Sequence, residues 1–532
     1  MHDETSAKNV HLLGEAAVVG KILPPDLTKR LAVDTHGGRL HVEWDPQAPV
    51  TPLGQLVFFA QFLAAGGLFG DWVRDCPLRY ESPNAPEVVD VLGTIALGVL
   101  SGQRRYSHLS ALRADSVNPR GLGMTTVCSE DSVRRAFLGA DENAVAAWQR
   151  KHLRAAWEPA LALPWILDID TTIKPIYGHQ EGATLGYNPH KPGRPSHAFH
   201  TYFIATLRLV LDVEVAPGNK HASAHGFEGL WRLWDDFTPA QRPELIRGDA
   251  PYGQEKLMSE CETRGQKYLF RQRQTKNVKK LVAAFFDQGR WAEAGSGWQS
   301  REGRLRLEGW SAERRLRLEG WSAERRIVVL RRQTNRPPAA PETLPGKAGE
   351  TATAILIEVA PEPEWEHIVL VTNLDWEPRS LADCYRQRAD CENAFDELKN
   401  QWGWGGFVTR DLFRSRVAAR TVALIYNWWT AFVRCAEPTR AREAVTSRPL
   451  MLCAVGRIIE HAGQSILRLT SSHAEAERVQ GLLCNLSLFL SSLFNTAEQL
   501  SAPQRWQRIW KRILAPYLAR GPSPPKQNAL IF

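Results

Sequence analysis

Past Pro164 the hydrophobic pattern changes period, and this change constrains the fold more than any other feature of the chain. From Leu56 to about Leu153 apolar residues recur at spacings of three and four, as in FFAQFLAAGGLF, PEVVDVLGTIALGVL and SVRRAFLG, which is the signature of amphipathic helices. Ser129, just before DSVRRAF, is placed to cap one of them. Beyond Pro164, WILDID reads as a strand and FHTYFIATLRLVLDVEVAPG as two strands joined by a tight turn. FEGLWRLWDDF then reads as a helix, ELIRGDA as a strand, YGQEKLMSECETRG as a helix and KYLFRQR as a strand. This β-β-β-α-β-α-β order predicts a mixed α/β architecture, not a plain βαβ repeat.

Five segments follow from the pattern. Residues 1–155 are a helical N-terminal region, partly extended over 1–50, and 156–284 are mixed α/β. Residues 285–378 are β-rich, with RRIVVLRR, TAILIEVA and HIVLVTNL as strands and NRPPAAPETLPG as a linker. Residues 379–430 are strongly helical. Residues 431–532 are mainly helical, suited to dimerisation or DNA contact, with a loose tail GPSPPKQNALIF.

Composition excludes several classes. The chain has 532 residues, 43% hydrophobic and 23% charged, as in an ordinary soluble globular protein with more than one core. Lys and Arg number 66 against 58 Asp and Glu, a net charge of +8 that favours a polyanionic partner without requiring one. The eight cysteines include no CxxC pair, which disfavours zinc ribbons and thioredoxin-like motifs and predicts reduced thiols in a cytoplasmic protein. The longest apolar stretches, near 54–70, 89–100 and 479–494, are interrupted and fall short of the ~20 residues of a membrane span, so they read as core helices. The N-terminus has no apolar signal core, and there is no Walker A loop, GxGxxG or GxSxG.

One repeat is exact in sequence: LRLEGWSAERR occupies 305–315 and recurs unchanged at 316–326. Two identical copies point to a recent tandem duplication, since a solenoid needs three or more units. Each copy reads as strand, turn and strand start. An odd insertion within one continuous strand would invert the face of every later side chain, so the extra unit is expected to bulge out locally.

The sharpest chemical signal is the set Tyr385, Arg388, Glu392 and Lys399. At about 100° per residue these fall at roughly 0°, 300°, 340° and 320° on a single helix, one narrow arc. Such a face can hold a metal through the carboxylate and grip phosphate through the cations; a salt-bridged surface helix has the same spacings. Two further acids bear on the choice. Asp170 follows the strand WILDI and leads into Thr171 and Thr172; Asp249 ends the strand ELIRG. Three separated carboxylates, on two strand ends and a helix, suit a site in which two ions about 3.5–4 Å apart drive phosphoryl transfer. Asp168 shares the strand face of Asp170 by period two and is the other candidate for first acid.

These residues resemble those of a known family. DTT at 170–172, Asp249 in RGDAPYG and the Tyr385-Arg388-Glu392-Lys399 signature are similar to the DDE transposases of bacterial insertion sequences, and more narrowly to the insertion sequence four superfamily defined by that signature. YGHQEGATLGYNPHKPGRPSH at 177–197 resembles its thirteen-eighty-like branch. The likeness spans about 165–430. It implies an RNase H-like catalytic core, in two parts at 156–284 and 379–430, interrupted by the β-rich insertion 285–378. It further implies that Asp170, Asp249 and Glu392 coordinate two Mg²⁺ ions, with Mn²⁺ as a substitute. The family cuts double-stranded DNA at inverted-repeat transposon ends and joins the freed 3′-hydroxyls to target DNA, as a synaptic homodimer. Tyr385, Arg388 and Lys399 would then contact phosphates, and the expected location is the bacterial cytoplasm, at the nucleoid.

Further candidates follow. Trp298, Trp310 and Trp321 lie in or near the insertion and Trp402 and Trp404 follow the signature; in hairpin-forming relatives an insertion Trp stacks on a flipped base, while ordinary packing is the alternative. Trp310 and Trp321 are indistinguishable by sequence. Arg271 and Arg273, within RQRQTKNVKK, could track a phosphate backbone or sit in a solvated loop. Lys191 and Arg194 belong to a loop expected over the active site. His179, His190, His197 and His200 lack zinc-binding spacing. Arg134 and Arg135, and the run Arg410, Arg414, Arg416 and Arg420, are basic faces open to DNA or to solvent, and the helices of 56–150 are expected to bind end DNA with steep salt dependence. An RNase H-like nuclease without a joining step, and a catalytically silent DNA-binding remnant, remain as alternative functions.

Overall fold

The computed structural model describes residues 30–45, 47–188, 191–220, 225–286, 289–305, 310–311, 316–317, 320–334, 365–470 and 473–518. Two units are distinguished, residues 1–49 and 50–532. In the first, β1 (Leu31–Thr35) and β2 (Gly38–Val42) form an exposed antiparallel hairpin. Gly38, at φ 114°, supplies a turn conformation that side-chain-bearing residues avoid.

The second unit begins with β3 (Val50–Thr51), followed by helices α1 (Leu56–Gly66), α2 (Leu68–Arg74), α3 (Val88–Leu100), α4 (Asn118–Gly121), α5 (Glu130–Arg135) and α6 (Glu142–Trp157). The expected cap is present: the Ser132 amide donates to Ser129 Oγ at 3.1 Å. Asp141 caps α6 in the same way, accepting from the Ala144 amide at 2.7 Å. Among the described residues no single helix is long and apolar enough to cross a membrane; α1 and α2, which together would be, bend by 68°.

The mixed region yields β4 (Ile166–Pro175), β5 (Ser196–Ile204), β6 (Leu209–Pro217), α7 (Phe227–Asp235), β7 (Leu245–Gly248), α8 (Glu255–Thr263), β8 (Tyr268–Arg271) and α9 (Lys276–Phe286). Next come β9 (Ala292–Glu293), β10 (Gln299–Leu305), β11 (Trp310–Ser311), β12 (Leu316–Arg317), β13 (Arg325–Gln333) and β14 (Trp365–Thr372). The rest comprises α10 (Pro378–Arg386), α11 (Ala389–Gln401), α12 (Leu412–Ala436), α13 (Ala444–Met451), a hairpin of β15 (Val455–His461) and β16 (Gln464–Thr470), α14 (Ala476–Phe494) and α15 (Ala502–Leu518).

Among the described residues, nine strands form one mixed sheet in the order β6-β5-β4-β7-β8-β14-β13-β10-β9. β4 runs parallel to β7 and β7 to β8, while the other neighbours are antiparallel. Every residue of β5 is buried, including the polar Ser196, His197, His200 and Thr201. Strands β9, β10, β13 and β14 of the β-rich segment continue the same sheet, because β14 pairs with β8, while β11 and β12 pair with each other apart from it. The strand expected at TAILIEVA, the linker NRPPAAPETLPG and the C-terminal tail lie outside the described residues.

The duplication leaves the sheet register intact. β10 and β13 pair without interruption from Gln299↔Arg331 to Leu305↔Arg325, so residues 306–324 fall between two continuous strands. Within them Trp310 pairs with Arg317 and Ser311 with Leu316. The even pleat is preserved because the extra unit enters where no ladder has to be continued.

The early and late helices share one core. Trp72 stacks on Trp148 at 5.5 Å and meets Trp428 of α12 edge-on at 5.5 Å, and Phe59 contacts Trp429 and Phe432. α12 also closes the sheet edge: Asn427 accepts from the Val210 amide at 2.9 Å and donates to the Val210 carbonyl at 2.7 Å, occupying the hydrogen-bonding groups an additional strand would use.

Candidate active site

The two acids are neighbours by topology, although only Asp249 follows a strand end: β4 runs on through Asp170 to Pro175, so the expected strand end at Asp170 is instead the middle of a strand that outruns its partner β7. In the parallel β4–β7 pair, Ile169 stands opposite Gly248, so the next residues, Asp170 and Asp249, emerge side by side where β7 ends. Ligand sites in such sheets lie beyond the carboxyl ends of the parallel strands. Both aspartates line a cleft of about 1260 Å³. Its walls carry Lys220, Arg271, Arg273, Lys279 and Lys399, for none of which an ion pair with an acid is found among the described residues. Tyr187 and Trp365 add aromatic surface to it.

Asp168, the other candidate for first acid, is excluded from this chemistry by its partner. It is fully buried, and Arg247, its cross-strand neighbour, donates to both its oxygens at 2.7 Å. Arg247 also donates to the Cys384 carbonyl, which ties the strand to α10. Both faces of the Asp168 carboxylate are thereby committed to structure.

The third acid arrives differently from the sequence expectation. The four-residue signature does not lie on one helix. Tyr385 ends α10, and the helix breaks at Gln387 and Arg388 before α11 carries Glu392 and Lys399. The break is a tightened turn: the Arg388 amide donates to the Tyr385 carbonyl at 3.0 Å, an i to i−3 bond where an α-helix would use i−4. It directs the Arg388 side chain, 3% exposed, between two acids. Its guanidinium donates to Asp170 Oδ1 at 3.1 Å and to Glu392 Oε1 at 2.9 Å. Asp170 and Glu392, 222 positions apart in the chain, thus share one cation. Burial raises the Asp170 carboxyl above its usual range, although the charges of Arg388 and Lys399 act the other way. Burial also pushes the Tyr385 phenol up to about 12.

The donor chemistry of this site suits a hard divalent cation, since every candidate ligand is a carboxylate oxygen. The geometry departs from the expectation of three converging acids. Among the described residues no group of three His, Cys, Asp or Glu side chains is gathered to hold an ion, because Arg388 draws the Glu392 carboxylate into an ion pair. Asp170 and Asp249 are adjacent and fit such an ion; Glu392 would complete the set once released from Arg388.

The remaining candidates divide. Arg271, Arg273 and Lys399 face the cleft, as does Asp170's neighbour Thr171. Lys191 and Arg194 are not among its lining; they flank the Tyr177 ring at 4.9 and 4.8 Å. Trp321 is 4% exposed and so offers no free face to a base in this conformation, and Trp298, Trp402 and Trp404 are also buried. The Trp310 side chain and His190 lie outside the described residues. Arg134 and Arg135 both pair with Asp131. In the late basic run, Arg414 pairs with Asp411 and Arg420 with the buried Asp212 at 2.8 Å, so these two cations serve the fold. Lys279, which belongs to the basic run 271–280 read as a possible phosphate track, also lines the cleft; sequence reading missed Lys220 and Trp365, for which no local signal stood out.

The second copy of the repeat docks onto the helix that follows Asp249. Arg325 donates to Glu262 at 2.7 Å and pairs with Glu255, and the Ser322 amide donates to Glu255 at 3.1 Å. The Glu255 carboxyl is held down to about 2; burial opposes this, and the hydrogen bonds from Arg325 and Ser322 outweigh it.

No curated protein sequence matches this chain. A solved piggyBac transposase synaptic complex with hairpin DNA is similar at 11% identity and a TM-score of 0.37, over 88% of this chain and 87% of that one. The family model described as transposase DDE domain group 1 matches residues 81–489, well over half of the sequence, and the chain belongs to that family.

Proposed function

We propose that this transposase-family protein cuts double-stranded DNA at inverted-repeat ends and joins the freed 3′-hydroxyls to target DNA, acting as a homodimer in the synaptic complex. The observation that carries this reading is the cleft: two adjacent aspartates, one within β4 and one just past β7, lining it together with five cations that have no acidic ion-pair partner among the described residues. Such a surface attracts a phosphate backbone and presents oxygen ligands beside it. Asp170, Asp249 and Glu392 would hold Mg²⁺, or Mn²⁺ in its place, which when bound supplies charge neutralisation of the phosphoryl oxygens and an activated nucleophile. The chain's own groups do the rest. Arg271, Arg273, Lys220 and Lys279 hold phosphates along the cleft, and Lys399 sets the strand beside Asp170. Arg388 holds Asp170 and Glu392 in register, and Tyr385 packs under the site.

We assign the five strands β6-β5-β4-β7-β8, with α11, to an RNase H-like core, and β9 to β14 to the insertion. The mixed order, with both aspartates on the central parallel strands, supports that assignment. The narrower placement in the thirteen-eighty-like branch, and a location at the bacterial nucleoid, rest on the sequence motifs.

A strand-transfer assay with pre-cut ends and supercoiled target DNA tests the proposal. Joined product is the expected result. Cleavage without joining would leave an RNase H-like nuclease, and end binding with neither step would leave a silent remnant.

A further inference from the structure

Beside the two aspartates lies a hydrogen-bonded row, half-buried at Thr171 on the cleft and buried at Tyr252 and His200, that the mechanism above does not use. Thr171, one residue beyond Asp170, hydrogen-bonds through Oγ1 to the Tyr252 hydroxyl at 2.7 Å and to His200 Nδ1 at 3.0 Å. His200 is the cross-strand partner of Thr171 on β5, and Tyr252 lies three residues beyond Asp249. His200 is fully buried and Tyr252 is 2% exposed. The Tyr252 ring is fixed as well as its hydroxyl. A Cβ at Gly248 would come within 2.8 Å of Tyr252 and 3.1 Å of Ile169, so the strand end before Asp249 has room only for glycine. Phe227 contacts the other part of the ring, with centroids 6.3 Å apart.

A phenylalanine would fill the Tyr252 site as well by shape, and a valine would suit a strand at 171 better than threonine by packing alone. The Thr171 hydroxyl, the Tyr252 hydroxyl and His200 Nδ1 are paired with one another, while His200 Nε2 is buried without a partner among the described residues; polar groups linked in this way in a low-dielectric setting specify a single arrangement. Here they join β5, β4 and the turn after β7 at the very residues that adjoin Asp170 and Asp249.

We propose that Tyr252, Thr171 and His200 are positioning residues that fix the separation of the Asp170 and Asp249 carboxylates, and so set how well the pair holds a divalent ion. This inference rests on the reading of Asp170 and Asp249 as ion ligands. Groups that orient ligands from behind typically account for tenfold to a hundredfold in metal affinity or activity.

The test uses full-length protein and three readouts: gel-shift binding to end DNA, single-turnover cleavage, and calorimetric titration with Mn²⁺ alone. Tyr252→Phe and Thr171→Val should bind end DNA as the unaltered protein does, cut on the order of tenfold to a hundredfold more slowly, and bind Mn²⁺ more weakly by a similar factor. Thr171→Ser, which keeps the hydroxyl, should restore both. Unchanged Mn²⁺ affinity in Tyr252→Phe and Thr171→Val overturns the inference, as does an equal loss in Thr171→Ser. If the unaltered protein binds Mn²⁺ but cuts no DNA, the transposase reading fails, while the titration still decides the positioning role.

Discussion

Arg247 grips Asp168 through two hydrogen bonds of 2.7 Å, and both side chains are sealed from solvent. The pair separates two aspartates that sequence alone treats alike: Asp168, the face-mate of Asp170 on the same strand, is spent on holding β4 to β7. Removing one partner of a buried pair leaves an uncompensated charge, at about 3–5 kcal/mol. Asp168→Ala is therefore expected to lose about that much in urea unfolding, whereas Asp170→Ala, at a partly exposed position within β4, should lose far less.

The complementary experiment concerns activity. Asp170→Ala, Asp249→Ala and Glu392→Ala should each abolish cleavage while leaving affinity for transposon ends intact, because phosphate contacts are supplied by other side chains. Cleavage surviving in Asp170→Ala, measured on labelled end duplexes, would remove Asp170 from the site.

The cleft cations make a prediction about salt. Arg271→Ala, Arg273→Ala and Lys279→Ala should weaken DNA binding to a similar extent for end and random sequences. Each should reduce the slope of log K against log salt by about one. A variant that weakened only end binding would mark that residue as a reader of bases.

Acid should loosen the contact between the second repeat copy and α8. Because the folded-state Glu255 carboxyl is depressed to about 2, its stabilising effect is complete above the unfolded value of about 4.3 and is lost as pH falls towards the folded one. The difference in melting temperature between the unaltered protein and Glu255→Gln should accordingly shrink as pH is lowered from 5 to 2.5. A difference that stays constant over that range would show that Arg325 does not depend on the charge of Glu255.

Deleting one repeat copy gives the same sequence whichever copy is removed. The segment between β10 and β13, residues 306–324, would shorten from nineteen residues to eight. Halving a loop changes closure entropy by only about 0.6 kcal/mol, and the remaining Trp, Ser and Arg can take the places of Trp321, Ser322 and Arg325. We expect the shortened protein to melt within a few degrees of the full one and to retain end cleavage in the same assay.

The sequence by itself determined the elements and the identity of the acids. The change of period after Pro164 announced the strands, Ser129 announced its cap, and Asp249 stood out as a carboxylate past a strand end, whereas Asp170, read the same way, lies within β4; these are local properties, set by side-chain alternation and backbone turns. Tertiary structure alone decided which groups meet. Arg388 breaks the signature helix and lies between Asp170 and Glu392, Arg247 withdraws Asp168 from chemistry, and Arg414 and Arg420 of the late run pair with acids inside the fold. The repeat shows the physical reason most directly. Identical residues carry identical local preferences, yet Trp321 and Arg325 acquire their burial and partners from α8 and β13, and contacts across hundreds of positions depend on strand order, which leaves no mark on the residues nearby.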